Sequence, residues 1–227
     1  MKLSLKEKIL HILAEISFAD KIAQQRAIDI VGRSKVGEYL KPGGIYLDIG
    51  TGFGHIVEQV IQENHYKGII FLALDPIWRP LRKVQNRLIK KANVHILFIK
   101  GVGQQLPIKN KSLDGVLLFF VLHHVTPEEG IEILNEIKRV LKDDGLLFLV
   151  EDTPENEQER KRNAKWDRRI NFESKDKKHN YRNNEEWLEF IKNSGYKLID
   201  QTYFEYSLPK LDKSLIHHWS YILQLKH

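Results

Sequence analysis

Asp48-Ile49-Gly50-Thr51-Gly52-Phe53-Gly54 constrains the fold of this chain more than any other stretch. It follows the apolar run Ile45-Tyr46-Leu47 and leads into Ile56-Val57-Glu58-Gln59-Val60, a helix-like segment. The order is strand, glycine turn, helix. The glycines allow a tight turn and let the backbone approach a ligand with no side chain in the way. The helix that opens behind them leaves unpaired N–H groups facing the same ligand.

The flanking sequence repeats that alternation. Residues 1–40 read as helical, with Leu5, Ile9, Ile12, Leu13 and Ile16 on one face and a second helix from Ala23 to Leu40. Lys41-Pro42-Gly43-Gly44 breaks it. Ile45–Ile49, Ile69–Leu74, Val94–Ile99, Gly115–Phe119 and Leu146–Val150 read as strands. Arg79–Lys90 and the segment after Thr126-Pro127-Glu128-Glu129 read as helices, the latter with a cap, a proline at the first position and a reciprocal Glu. Asp143-Asp144-Gly145 ends that helix. Strands alternating with helices predict a parallel α/β sheet. Residues 153–182 are polar, charged and without apolar periodicity, so a long connection or lid is expected there. Asn183 caps a last helix closed by Gly195, and Tyr196–Phe204 and His218–Leu225 predict an antiparallel pair. The expected organisation is one domain, 1–227, with N-terminal helices (1–43), a ligand-binding core (44–152), the polar connection (153–182) and a C-terminal helix and strand pair (183–227).

Composition excludes several classes. The 227 residues contain no cysteine, so disulfides, a thiolate nucleophile and a cysteine metal site are absent. The longest uninterrupted apolar run, Val116–Leu122, is far short of the roughly 20 residues a membrane span needs. No membrane partner and a cytoplasmic location are therefore expected. The net charge of +6 favours anionic partners, RNA included, though a lysine-rich solvated surface explains it as well. Part of the charge is local, in Glu159-Arg160-Lys161-Arg162, Asp167-Arg168-Arg169 and 175–179.

From Gly44 to Asp152 the chain resembles class I S-adenosylmethionine-dependent methyltransferases, in the branch that includes the quinone-biosynthesis type. Five motifs stand in the family's order: Asp48-x-Gly50-x-Gly52-x-Gly54; Asp75 after the second strand; Gln105-Leu106-Pro107 with Ser112-Leu113-Asp114-Gly115-Val116; Leu122-His123-His124-Val125; and Arg139-Val140-Leu141-Lys142-Asp143-Asp144-Gly145. The glycine spacing is not the G-x-G-x-x-G of dinucleotide enzymes. The resemblance implies a Rossmann-like, doubly wound, seven-stranded, mostly parallel sheet with its last strand antiparallel and helices on both faces. It implies S-adenosylmethionine as cofactor. Asp48 and the glycines would line its methionine and ribose part, Asp75 would accept the ribose hydroxyls, and Ile77 would pack on adenine. The family's acid after the third strand is missing from Lys100-Gly101-Val102-Gly103-Gln104, so adenine would be held by backbone groups or by Gln104.

Ligands of such sheets bind outside the carboxyl ends of the strands at the switch point. The candidate cofactor residues are thus Asp48, Gly50, Thr51, Gly52, Gly54, Asp75, Pro76, Ile77, Val102, Gly103, Gln104 and Phe119. His123 and His124 are the candidates for a base or substrate-positioning role, since the fourth strand delivers them to the pocket mouth; either one could instead hold backbone. Glu151-Asp152 ends the fifth strand and could face substrate. No metal is expected, because adjacent histidines do not share a helix face and no third ligand stands at metal spacing. Trp166, Phe172, His179 and Tyr181 interleave with the charges of 153–182, and Trp187 follows just after, as a lid over a small substrate or as stacking groups for RNA. The predicted function is methyl transfer to a small molecule. The alternatives are an RNA- or protein-directed methyltransferase and a non-catalytic subunit of the same fold.

Overall fold

A computed structural model describes residues 20–63, 68–77, 95–171, 173–174, 176–207 and 215–226. The predicted face Leu5–Ile16 and the predicted helix Arg79–Lys90 lie outside them. The described elements run α1 (20–33), α2 (Val36–Tyr39), β1 (Ile45–Ile49), α3 (His55–Glu63), β2 (Ile70–Asp75), β3 (His95–Lys100), β4 (Leu113–Phe119), a 3-10 turn (Leu122–His124), α4 (Pro127–Val140), β5 (Leu141–Asp152), α5 (Glu157–Ile170), α6 (Asn184–Asn193), β6 (Tyr196–Ser207) and β7 (Leu215–Leu225).

The seven strands form one sheet in the order β3-β2-β1-β4-β5-β7-β6. Neighbours from β3 to β5 pair parallel, and β7 runs antiparallel to both β5 and β6. This is the predicted architecture. The chain leaves β1 in one direction for β2 and β3 and returns to β4 on its other side, which puts the switch point between β1 and β4. The central strands are buried on both faces, which explains their nearly continuous apolar runs. On one face, Leu47, Val116, Leu118 and Leu147 pack against Ile133 and Ile137 of α4 and Trp187 of α6. On the other, Tyr46, Phe71, Leu117 and Phe148 pack against Ile30 of α1, Val36 of α2 and Val57 of α3.

Both predicted caps form. Thr126 and Glu129 make a reciprocal capping box on α4, and Asn183 and Glu186 make one on α6. Two family-like motifs are architectural. Asp114 accepts from Ile45 N–H (2.9 Å) and so ties the start of β4 to β1. Arg139 donates to the carbonyls of Leu106 and Ile108 and clamps the loop that precedes β4.

The structure departs from the expectation at three places. The helix predicted over Ala23–Leu40 breaks at Ser34-Lys35, where Lys35 takes a left-handed φ of 57°, giving α1 and α2. The strand after α4 starts at Leu141, directly at the helix end, with Asp143-Asp144-Gly145 inside a register shift. The polar connection contains α5. Its buried positions are Asn163 and Asp167, and its half-buried Trp166 packs against Tyr206 and Ile216. A helix whose inward side is mainly polar has no apolar stripe to reveal it.

Candidate active site

The glycine loop follows β1 at the switch point. Gly50 and Thr51 N–H both donate to the Leu74 carbonyl (2.8 and 3.0 Å), so the loop is fastened to the end of β2. Gly50, Gly52 and Gly54 all have positive φ (75°, 50° and 70°), a conformation that costs any residue with a Cβ. A Cβ at Gly50 would meet Val121 Cγ2 at 2.7 Å, whereas one at Gly52 would meet nothing nearer than the Gly50 carbonyl at 3.9 Å. Gly50 is thus demanded by the protein and Gly52 stands beside open space.

Asp75 joins this loop to the next. Its Oδ2 accepts from Gly52 N–H (2.9 Å) and its Oδ1 from Ile77 N–H (2.8 Å). Burial pushes this carboxyl up, against those two amides. Asp48 is buried, and its Oδ2 has no hydrogen-bond partner. Burial raises the Asp48 carboxyl to about 7, with the charge of Asp75 adding and the Thr51 hydroxyl opposing. A buried acceptor without a donor calls for a ligand donor or cation there. These residues therefore fit a cofactor that carries an ammonium group.

An open cleft lies over the loop. It takes in Gly50, Thr51, Gly52, Phe119 and His124 of the predicted set, together with Arg26 of α1 and Asp167 of α5. Asp48, Gly54, Asp75, Pro76, Ile77 and 102–104 lie outside that lining. Pro76, Ile77 and Val102 are exposed. Gly103 is buried, and a Cβ on it would press on Ile133 and Ile49 at 3.1 and 3.2 Å, so its missing side chain serves core packing.

The two histidines part company. His123 is fully buried and away from the pocket mouth, which corrects its predicted place. Its Nδ1 lies 2.5 Å from Glu151 Oε2, and its Nε2 lies 3.4 Å from Asp167 Oδ2. It stacks on Tyr181, whose hydroxyl donates to Asp167. Burial pushes the imidazole down, but the charges of Glu151 and Asp167 outweigh it and hold His123 well above its ordinary value. Full burial between two carboxylates suits His123 to a structural role. Glu151 likewise faces inward, accepting from Val121 N–H (3.1 Å) and Leu122 N–H (2.7 Å). His124 does line the cleft. Its Nδ1 is 3.2 Å from Glu173 Oε1, and His179 Nε2 is 2.8 Å from Glu173 Oε2. The spacing argument against a third ligand missed this group because Glu173 and His179 return to His124 only through the tertiary fold.

A second, narrow chamber, with free space for about one water molecule, adjoins the cleft between α1 and α5. Asp152 faces it and pairs with the Arg26 guanidinium and, at 2.7 Å, with His218 Nδ1. Burial would raise the Asp152 carboxyl, but Arg26 and His218 override it and hold it below the usual carboxylate range. Burial also keeps His218 below its ordinary value. Arg26 lies 3.8 Å over the ring of Phe120. Phe120 has a left-handed φ of 58°, an uncommon conformation for an aromatic residue, at the end of β4. Sequence reading missed Arg26, Phe120, Asn163 and Asp167. No local pattern marks them, since each acquires its role from elements far apart in the chain.

Residues 47–149 match the methyltransferase domain family. Among curated proteins, the tRNA N(3)-cytidine methyltransferase METTL2 of Gallus gallus is 27% identical over 106 residues, 45% of this chain and 29% of that one. The chain spans under half the length of the curated relatives it matches. A methyltransferase of Haloferax volcanii solved with the Trm112 activator superposes with a TM-score of 0.68 at 16% identity, over 94% of this chain and 98% of that one. A Bacillus halodurans protein described as a methyltransferase gives 0.63 at 17% identity, over 88% and 96%. Among the described residues no helix is long and apolar enough to cross a membrane. Residues 47–149 thus carry a methyltransferase domain, and the seven-stranded sheet built around it has the fold of the S-adenosylmethionine-dependent methyltransferases.

Proposed function

We propose that this chain transfers a methyl group from S-adenosylmethionine to a small polar acceptor held in the cleft over the glycine loop, with one polar group reaching into the narrow chamber between α1 and α5. S-adenosylmethionine, when bound, supplies an electrophilic methyl group on a sulfonium with a good leaving group. What carries the reading is a pair of orphaned groups in the chamber. Residues Arg26 and Asn163 both line it, and among the described residues buried Arg26 Nε and Asn163 Oδ1 have no hydrogen-bond partner. A donor and an acceptor left unpaired in a desolvated space suit one small molecule with a hydroxyl or amine. Arg26 and Asp152 would orient it, and the helices would keep water out.

The similarity to a tRNA methyltransferase supports a second reading, an RNA acceptor. Against it, much of the basic charge on α5 is already engaged. Arg160 donates to the Tyr181 carbonyl and to Glu186, Arg162 to the Leu215 carbonyl, and the Arg169 guanidinium lies over Trp166. The deciding experiment supplies labelled S-adenosylmethionine with a panel of small alcohols, phenols and amines and, separately, with bulk tRNA. Label transfer to a small acceptor that falls at least tenfold in Asn163→Leu, with cofactor affinity kept, supports the chamber. Label in tRNA that is unchanged in Asn163→Leu and steeply salt-dependent overturns it.

Two cofactor-side expectations follow. Asp75→Ala leaves Gly52 and Ile77 N–H without acceptors and should weaken S-adenosylmethionine binding by about tenfold or more, with a loss of about 1–2 kcal/mol in stability. Unchanged affinity in a calorimetric titration would remove Asp75 from the site. The second concerns pH. With its carboxyl raised to about 7 against 3.8 for an ordinary aspartate, Asp48 holds more protons folded than unfolded, so its contribution to stability falls as pH rises across that window. Pairing with a ligand ammonium lowers that pKa and releases a proton. Affinity should therefore tighten as pH rises toward about 7 and then level, by at most tenfold per pH unit. Asp48→Asn should flatten this rise; superimposable profiles would show that Asp48 does not meet the ligand charge.

A further inference from the structure

We propose that His124, Glu173 and His179 form a binding site for one divalent transition ion of the zinc class, at the rim of the cleft. One donor atom from each of the three residues lies within 4.8 Å of the other two. A tetrahedral zinc with bonds of about 2.0–2.1 Å sets its ligand atoms about 3.3 Å apart. The 3.2 Å from His124 Nδ1 to Glu173 Oε1 and the 2.8 Å from His179 Nε2 to Glu173 Oε2 need only small shifts to reach that. Two imidazoles and a carboxylate are a donor set suited to zinc, iron, cobalt or nickel and poor for magnesium or calcium.

The hydrogen bonding within the cluster is incomplete, which is the second observation. His124 Nδ1, the nitrogen that faces Glu173, is buried and near it, yet it is not aligned to hydrogen-bond with it. A plain hydrogen-bonded triad would have spent that nitrogen.

An ion here would tie the turn after β4, which carries His124, to the 171–180 segment that follows α5. Three protein donors leave a fourth position, and His124 lines the cleft, so water or an acceptor oxygen could fill it. His124 would then act on the acceptor through the ion and not as a free base.

The test begins with tag-free protein stripped by a chelator. Zinc is titrated in competition with a chromophoric chelator, and cobalt is added separately to read its visible absorption. One equivalent bound by wild type, with at least a 100-fold weaker constant in Glu173→Gln and in His179→Ala, supports the site. His217→Ala, at a histidine engaged with Tyr203 on the far strand pair, should keep full affinity. Circular dichroism and the S-adenosylmethionine thermal shift check that each variant is folded. Failure of wild type to bind one equivalent overturns the proposal, as does binding unchanged in both His124→Ala and His179→Ala. Metal binding and methyl transfer are read separately, so the loss of one leaves the other standing.

Discussion

Glu151→Ala is expected to lower stability by about 3–5 kcal/mol, the cost of stripping one partner from a buried ion pair. For a chain of this size that is a fall in melting temperature of about 10 °C or more. Glu151 and His123 are both fully buried. One carboxylate oxygen serves the amides of Val121 and Leu122, and the other serves His123 Nδ1. Alanine leaves two amides without an acceptor and a cationic ring facing Asp167 alone. Glu151→Gln keeps an acceptor for the amides and removes only the charge, so it should cost less. The pH dependence has a definite sign. A histidine held above its unfolded pKa contributes stability that is complete below about 6.5 and is lost as pH rises through the folded value. Wild type should lose that increment on the alkaline side, and Glu151→Gln should lose it at lower pH. Thermal melts across pH check both. A Glu151→Ala protein as stable as wild type would show that the buried triad is not holding the turn after β4.

The glycine loop gives the second large effect, and it separates two glycines that look equivalent in the sequence. Gly50→Ala forces a left-handed alanine, at about 1–2 kcal/mol, and drives its Cβ into Val121, at about 1–3 kcal/mol more. The relief of that contact displaces Val121, whose amide is held by Glu151. Both stability and cofactor binding should fall. Gly52→Ala pays the left-handed cost alone, because among the described residues no atom obstructs its Cβ. Its methyl group instead occupies space over the loop where a ligand must come close. The expected pair of results is a destabilised, weakly binding Gly50→Ala and a nearly stable Gly52→Ala that has lost S-adenosylmethionine affinity. A thermal shift with and without cofactor reads both at once. A ligand at about 100 times its dissociation constant adds roughly 2.7 kcal/mol, so loss of that increment is easily seen. A Gly52→Ala protein that keeps the full increment would move the cofactor away from the loop.

Much of the architecture was legible in the sequence, because the features that define it are local. An apolar run five to seven residues long between turn residues is a strand wherever it sits, and a Thr or Asn followed three residues later by Glu caps a helix from short-range hydrogen bonds alone. The glycine loop belongs to this class, since a positive φ is a property of single residues. What local pattern could not convey was α5. Its inward face carries Asn163 and Asp167, and Asp167 belongs inside only because His123 and Tyr181 come to meet it. The break at Lys35 was invisible for a related reason, as a lysine has no evident preference for a left-handed turn.

The histidine pair marks where the two kinds of information divide. Adjacent residues in a chain share a neighbourhood on paper, and the sequence placed His123 and His124 together at the end of β4. Packing sent one ring inward between Glu151 and Asp167 and the other to the cleft beside Glu173 and His179. The strand order, the cofactor loop and the family were written in local patterns, whose energies depend on neighbours a few residues away. The burial, charge and partners of each polar side chain were settled only when the sheet edge, α1 and α5 closed on one another, because desolvation and pairing are properties of the assembled interior.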